Sequence, residues 1–430
     1  MIEYAVAGGV EEEFGSLLRR LRTNTGLTQR MLADLSTISE RAIRDLEQSR
    51  ARPRTDTVRL IAEALRLGRR ARAGLELAAN HGRPLRPTLD AVTAVPPVAL
   101  DAIIGRDSEI GAVTAELAGG VSRLVVLRGL PGVGKTRLAV EIARGLHSRS
   151  RLPVLWCTSP TAGAAAAVGR TRSDDWLARL LDTASRALFD PTAADDLAEV
   201  AEAIADRDAL LVLDGGTPRA DAVLWLLGEC ARLRVLVTTT DPESLPGERA
   251  FLLGPLAVPE DEVSDPRMIA AVPAVRLLLT HLDRIRPGCG QTRDEAALVA
   301  AVCAAVDGLP PALAAVASWH AVYDLPTLLD ILRADPAALL DPSLLSQVDS
   351  HLALLSPGDR AALSTLADFT PDASLPELAS ATGLSVAATG QVLRSLILHG
   401  VIRVRQTTTG SRFQILSLVR ARSQESPCAA

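Results

Sequence analysis

Gly129-Leu-Pro-Gly-Val-Gly-Lys-Thr136 matches the pattern G-x-x-x-x-G-K-[ST] at every fixed position, and its setting decides the class of the domain around it. Leu124-Val-Val-Leu127 just before it is a short apolar run of the kind a buried strand needs. Leu138, Ile142 and Leu146 just after it recur every four residues and predict a helix whose apolar stripe faces a sheet. That order aims the first-turn amides and the positive end of the helix dipole at the loop. The glycines, Gly129, Gly132 and Gly134, let the backbone curl so that successive N–H groups point inward at phosphate oxygens. Lys135 is placed to reach the β and γ oxygens and Thr136 to ligate Mg²⁺, with Val133 and Arg137 as further candidate contacts. Of the 46 basic residues in the chain this is the one lysine, so a compact ammonium is kept where arginine serves everywhere else.

The companions of such a loop follow in order. Arg207-Asp-Ala-Leu-Leu-Val-Leu-Asp214 is an apolar strand ending in a carboxylate, placed to hold Mg²⁺ opposite Thr136. Arg234-Val-Leu-Val-Thr-Thr-Thr240 is a further strand whose polar end approaches the γ-phosphate position, because ligands sit at the carboxyl ends of parallel strands. Alternating strands and helices over about 105–255 predict a doubly wound α/β domain.

At 430 residues the chain is long enough for several domains, at a prior of about 150 residues each. No apolar run approaches the roughly 20 residues of a membrane span, and the acidic start, Met1–Glu13, lacks a basic signal region. The expectation is a cytoplasmic protein with no membrane partner. Five cysteines, at 157, 230, 289, 303 and 428, form no C-x-x-C pair, which argues against a disulfide framework or a zinc site. Abundant alanine and arginine with one lysine points to a high-GC bacterial genome.

Charge is unevenly spread. The net charge is −5, yet residues 14–72 hold fourteen arginines against six acidic residues, a local balance of +8 that suggests a polyanion partner. Phe14, Leu17, Leu18 and Leu21 share one face of an amphipathic helix, and a second begins after Thr25-Gly26 with Thr28 as its N-cap. Ser36-Thr-Ile-Ser39 is a tight turn into Glu40–Glu47, with Ser39 as N-cap, Ile38, Ile43 and Leu46 inward and Glu40, Arg41 and Arg44 outward. This is helix-turn-helix spacing, in which the second helix offers its N-terminal half to the major groove of double-stranded DNA. Asp56 is placed to cap a further helix carrying Val58, Ile61 and Leu65.

Over about residues 14–68 the segment resembles the phage-repressor-type (XRE) helix-turn-helix family. The resemblance implies that Gln29 touches phosphate, that Glu40, Arg41 and Arg44 face base edges, and that Arg50, Arg52 and Arg54 lie near the backbone, with Ser39 a further DNA-binding candidate. Thr37 departs from the family, which commonly has glycine in the turn. The competing reading is a small helical bundle for protein contacts, its arginines merely solvated. A second basic helical stretch, Arg69–Asn80, precedes a linker marked by Pro84, Pro87, Pro96 and Pro97.

From residue 101 to 422 the chain resembles the NB-ARC branch of the signal-transduction (STAND) ATPases. The matches are Ile103-Ile-Gly-Arg106, the loop at 129–136, Leu210–Asp214, Val235-Leu-Val-Thr-Thr-Thr-Asp-Pro242 with Leu245-Pro-Gly-Glu248, Pro273-Ala-Val-Arg-Leu-Leu278, Asp307-Gly-Leu-Pro-Pro-Ala-Leu313 and Arg412–Arg420. Their shared order is more specific than any one of them. The resemblance implies ADP or ATP with Mg²⁺, clasped between the α/β domain, a helical domain and a winged helix. Ile104 and Arg106 would lie by the adenine, and Pro310 would close over the nucleotide. Thr240 replaces the arginine that usually ends the sensor strand, and Gly215-Gly216-Thr217 follows Asp214 with no second acid. Ile415-Leu416-Ser417 stands at the family's Met-His-Asp position, so that histidine contact to ADP is absent. Lys135 and Asp214 are the candidate catalytic residues of what is at most a slow ATPase.

In the last hundred residues, Leu354–Leu363 starts helices. Leu378–Gly383 and Ser385–Leu398 form a helix-turn-helix-like pair, and Val401–Val404 and Phe413–Leu416 flank a Thr-rich wing. A winged helix binds DNA in some proteins, but here the resemblance favours packing on the nucleotide domain. The expected organisation is multidomain, all-α then α/β. It comprises a helix-turn-helix domain at 10–80, a linker at 81–100, a P-loop domain at 101–255, a helical domain at 256–345 and a winged helix at 346–430. The expected function is a transcriptional regulator whose DNA binding or homo-oligomeric assembly is switched by ADP or ATP, with a protein or small-molecule effector as input. The alternatives are a defence sensor whose N-terminal helices bind protein, and an NTPase that remodels nucleic acid.

Overall fold

The computed structural model describes residues 14–48, 50–51, 53, 55–65, 67, 75, 89, 94–159, 175–190, 197–260, 265–288, 292–367, 372–408 and 410–425. The chain divides into two compact units, Met1–Thr88 and Leu89–Ala430.

The first unit contains α1 (Phe14–Asn24), α2 (Gln29–Ser36), α3 (Glu40–Glu47) and α4 (Thr55–Ala64). Phe14, Leu18, Leu32, Ile43, Leu46 and Ile61 close one core, which also takes in Leu75. Both caps form as the sequence indicates. The Thr28 hydroxyl accepts from the Met31 amide at 3.1 Å, and that of Ser39 accepts from the Ala42 amide at 3.2 Å, each satisfying a donor the first turn leaves open. Helix α4 begins at Thr55, so Asp56 is its second residue and not its cap. The turn between α2 and α3 keeps the left-handed backbone that glycine favours, with Thr37 at φ 57°. The remainder of the basic stretch Arg69–Asn80, together with Pro84 and Pro87, lies outside the described residues. Pro96 and Pro97 sit in a segment without regular structure.

The second unit is built on a five-stranded parallel sheet: β1 (Leu124–Arg128), β2 (Val154–Thr158), β3 (Ala209–Asp214), β4 (Leu233–Thr239) and β5 (Arg249–Leu252), in the order β2-β3-β4-β1-β5. Leu124 pairs with Val235 and Arg128 with Thr239, while Asp214 pairs with Thr238, so the polar ends of β1, β3 and β4 line up at one edge. Successive strand residues face opposite sides. Val125, Leu127, Leu210, Val212 and Leu236 therefore share one core with α5 (Asp107–Ala118) and α6 (Lys135–Ser150), with Leu138, Ile142 and Leu146 of α6 facing the sheet. Leu124, Val126, Leu211, Leu213, Val235 and Val237 share the other with α7 (Asp175–Phe189), α8 (Leu197–Ile204) and α9 (Ala220–Glu229).

The first of these cores continues without a break into the rest of the chain. It runs through α10 (Pro266–Ala271), α11 (Pro273–Leu282), α12 (Arg293–Ala305), α13 (Pro310–Trp319), α14 (Leu325–Ala334) and α15 (Pro342–Leu352). It then takes in α16 (Pro357–Ala367), α17 (Leu375–Thr382), α18 (Val386–Leu398) and α19 (Ser417–Glu425). The last part also carries a three-stranded antiparallel sheet of β6 (Ala373–Ser374), β7 (Ile402–Thr407) and β8 (Gly410–Ile415), in the order β6-β8-β7. No single helix among the described residues is long and apolar enough to cross a membrane.

Candidate functional site

The loop Gly129–Thr136 leaves β1 and enters α6 with Gly129, Gly132 and Gly134 all at positive φ, at 152°, 84° and 98°. Two of these glycines are also required by close approach. A Cβ on Gly129 would run into the carbonyl of Leu253, and one on Gly132 would lie 2.9 Å from Pro311 Cγ and 3.0 Å from Leu344 Cδ1. Gly134 meets nothing, so backbone conformation alone selects it. Val133 is fully buried, and its carbonyl accepts from Arg106 Nη2 at 3.2 Å. The same nitrogen donates to Gly254 O at 2.6 Å, and Arg106 Nη1 pairs with Glu109 at 2.7 Å, so the buried guanidinium ties the segment before α5 to the loop.

Lys135 folds its ammonium back onto the loop, donating to Gly129 O at 2.8 Å and Leu130 O at 3.0 Å. The residue as a whole is half-buried, but the ammonium is enclosed. Desolvation draws it down to about 7, against the pull of Asp214. Thr136 Oγ1 donates to Asp214 Oδ1 at 2.7 Å, and Thr238 Oγ1 donates to the same oxygen at 2.7 Å. The Gly215 amide, in turn, donates to Thr238 Oγ1 at 2.9 Å. Lys135, Thr136 and Asp214, which the sequence singled out 78 positions apart, thus meet at one point. Thr238 joins them from β4, one strand over.

Arg137 lies at the rim, paired with Glu141 at 2.9 Å and donating to Asp101 O. Ile104 is half-buried in the segment before α5, beside Gly105, whose backbone abuts Pro273. Pro310 begins α13, and the approach to Gly132 comes from its neighbour Pro311 together with Leu344. Arg128, the last residue of β1, is buried and neutralised by Glu248 of the Leu-Pro-Gly-Glu248 segment. It also donates to Asp241 O at 3.0 Å, which fixes the turn after β4.

The C-terminal part reaches the same loop. Gly400, at φ 73° after α18, is placed so that a Cβ would lie 2.8 Å from Leu130 N and 3.3 Å from Gly129 Cα. Beside it His351 Nε2 donates to His399 O at 2.8 Å, with both histidines buried. Asp307, at φ 55°, ties α12 to the C-terminal helix: its carboxylate accepts from Leu418 N and Ser417 Oγ, each at 3.3 Å. Burial pushes Asp307 up to about 6, opposed by Arg403 and these hydrogen bonds. The sequence marked the Asp307 motif without giving the aspartate a role. His351, His399 and Gly400 carried no local signal at all.

On the first unit, Arg41, Arg44 and Arg50 are exposed, with Arg44 paired with Glu40 at 3.0 Å. Ser39 spends its hydroxyl on the cap of α3. Gln29 Nε2 donates to Glu47 Oε2 at 2.7 Å, while Arg22 grips Glu47 through both oxygens, at 2.6 Å and 3.2 Å. One amide hydrogen of Gln29 is thereby engaged and the other is left for an outside acceptor. Arg52 and Arg54 lie outside the described residues.

Residues 13–75 match the family described as a helix-turn-helix domain. A Mycobacterium tuberculosis protein assigned by name to the HTH-type transcriptional regulators is 32% identical over 202 residues, 45% of this chain and 20% of its own length. The chain thus spans about a fifth of the length of that relative. An uncharacterized M. tuberculosis protein is 28% identical over 283 residues, covering 63% of this chain and 66% of its own. Among solved structures, a STAND protein with a tetratricopeptide repeat sensor from Pyrococcus horikoshii is similar over 78% of this chain and 44% of its own. The TM-score is 0.31 and the identity 16%. The chain carries a helix-turn-helix domain ahead of an α-rich unit with a parallel-sheet α/β core.

Proposed function

We propose that this chain is a DNA-binding transcriptional regulator whose DNA binding or assembly is governed by ADP or ATP held with Mg²⁺ at the loop Gly129–Thr136. The observation that carries the reading is the enclosure of that loop by distant parts of one chain. Arg106 and Leu253 hold it from the α/β part, Pro311 and Leu344 from the helical part, and Gly400 from the C-terminal part.

The residues present fit a nucleotide phosphate. The loop heads a 16-residue helix, the glycines expose its amides, and the lone lysine donates only to neutral carbonyls of its own loop. Thr136 and Asp214 would hold Mg²⁺, which neutralises charge on the terminal phosphate oxygens. Lys135 would leave its carbonyls for phosphate. The two hydroxyls on Asp214 orient the carboxylate, and Thr238 reports strand β4 to the same oxygen. No second carboxylate follows Asp214, which fits a ligand retained as a switch and turned over slowly at most.

In this reading the parts correspond to a P-loop domain, an ARC-type helical domain and a winged helix, at 101–255, 256–345 and 346–430. Nucleotide stabilises the closed arrangement, and exchange favours an open one competent to pair on DNA. To move the equilibrium from 1:99 to 99:1, nucleotide must bind one form about 10⁴-fold more tightly than the other. On DNA, Arg41 and Arg44 would face bases, while Gln29 and Arg50 would face the backbone.

The test is to denature purified full-length protein and identify what it releases. Stoichiometric ADP or ATP is expected, and Lys135→Ala protein should come out empty. Undiminished nucleotide in that variant would sink the assignment of the loop. DNA affinity, measured with and without ADP over a salt series, should fall steeply with salt and differ between the two states.

A further inference from the structure

Two side-chain polar atoms in the described residues are buried without a hydrogen-bond partner, and both are imidazole nitrogens: His351 Nδ1 and His399 Nδ1. The two rings lie 5.3 Å apart, centroid to centroid, tilted by 59°. His351 is 2% exposed and His399 4%. Leaving a buried acceptor or donor unmade costs about 1–3 kcal/mol, so two adjacent orphans in a packed core call for a ligand. The tautomer of His351 follows from its geometry. Nε2 donates to His399 O, so in the neutral ring Nδ1 is a bare acceptor, and protonation turns it into a donor.

Their place in the fold says what the ligand is. His351 lies in the last turn of α15 and His399 caps α18, and Gly400, next in the chain, is the residue that abuts Leu130 and Gly129 of the glycine-rich loop. The Lys135 charge reaches His351, and Asp241 reaches both rings. A metal is not favoured, since no cluster of three His, Cys, Asp or Glu able to hold one occurs among the described residues. An anion shared with Lys135 is. Building on the nucleotide reading above, we propose that His351 and His399 take up protons when nucleotide binds and donate from Nδ1 to its phosphate oxygens. The clasp on the phosphate is thereby proton-linked.

The charged groups around the pair set the direction. His351 is held down to about 4 by burial foremost, with the charges of His399 and Lys135 adding to it; the bond to the His399 backbone and the Asp241 charge oppose. His399 is also lowered, by burial, against Asp359 of α16 and Asp241. Without an anion the His351 ring is therefore neutral near pH 6, and His399 holds its proton less tightly than an ordinary imidazole. A bound polyphosphate supplies the negative charge that reverses this, so binding consumes protons and strengthens as pH falls. Each histidine carrying the linkage contributes up to about tenfold in affinity per pH unit, between its empty and occupied values.

The experiment is calorimetric titration of full-length protein with Mg²⁺ and ADP at pH 6 and pH 8, in two buffers of different ionisation enthalpy. It is run on the wild type, His351→Gln and His399→Gln. The wild type should take up more protons at pH 6 than either variant, and each variant should lose at least about tenfold in affinity at pH 6 but much less at pH 8. ADP's own titration is common to all three proteins and cancels. A structural role alone would weaken binding equally at both pH values with proton uptake unchanged, and that result overturns the proposal. Binding that survives Lys135→Ala would remove the nucleotide reading itself, whereas binding lost in that variant but indifferent to both histidines would remove only this inference.

Discussion

Adding one methyl group at Gly400 should loosen the C-terminal part from the glycine-rich loop, and the chain contains its own control. Gly400 and Gly383 both follow helices in left-handed backbone, at φ 73° and 66°. An alanine at either position carries the same conformational penalty, about 1–2 kcal/mol. They differ in what the methyl meets. At Gly383 nothing lies within 4 Å; at Gly400 it would sit 2.8 Å from Leu130 N and 3.3 and 3.4 Å from Gly129 backbone carbons, none of which a side-chain rotation can clear. Overpacking of that kind typically adds about 1–3 kcal/mol, the difference expected between the two variants. If nucleotide is held by closure of the C-terminal part, that difference appears as about 5- to 150-fold faster release in Gly400→Ala than in Gly383→Ala. Release of a fluorescent ADP analogue in stopped flow measures it, and hydrogen exchange at the 129–136 amides gives a readout independent of ligand. Equal release rates and equal loop protection in the two variants would refute the claim that this contact is part of the clasp.

Three further outcomes follow from the same reasoning. Thr37→Gly relieves a β-branched residue at φ 57° and should stabilise the first unit by about 1 kcal/mol, raising its melting midpoint by roughly 4–8 °C. Glu47 is 3% exposed in its side chain and Arg22 13%. Glu47→Ala strands a buried guanidinium and should cost the first unit about 3–5 kcal/mol in a denaturant melt. Burial works to raise Glu47, but bonds from Arg22 and Gln29 outweigh it and leave it lowered. Its contribution is present above the usual glutamate range and is lost as pH falls through the depressed value. Asp307 has the opposite sign. Raised to about 6 by burial from an unfolded value near 3.8, it binds more protons folded than unfolded between those values. Stability should therefore fall by up to about 3 kcal/mol as pH rises from 4 to 6. Asp307→Asn, whose amide can still accept from Leu418 and donate to Ser417, should flatten that part of the melting-temperature profile.

What the sequence revealed and what it hid divide along a physical line. Patterns enforced by the backbone were legible. Thr28 and Ser39 cap helices because a first turn leaves amides open, and both caps form. The strand ending in Asp214 and the loop ending in Thr136 meet because parallel strands deliver their C-terminal ends to one edge. Thr37 stood out as a non-glycine in a glycine position and duly adopts left-handed backbone. Asp56 misled by two positions because an aspartate is equally at home at a cap and in the first turn of a helix.

The residues that were missed answer to packing between parts of the chain far apart in sequence. His351 and His399 lie more than 200 positions beyond Lys135, in helices whose own patterns explain them as ordinary partly apolar segments. Nothing local distinguishes a histidine at a helix end that is buried without a partner from one that is solvated, because the distinction is made by Gly400 and the loop it abuts. The family position where a histidine was expected reads Ile415-Leu416-Ser417, and judged by register alone the contact is lost. In space, Ile415 and Leu416 are buried and Ser417 bonds to Asp307, so that segment fastens the C-terminal part to the helical part. Under the proposed phosphate contact, the imidazoles would come instead from α15 and from the end of α18. If so, a function tied to a residue type would be carried by other positions, where two helices converge on the same loop. Burial with unmet hydrogen-bonding capacity, not spacing, is the signal that finds it.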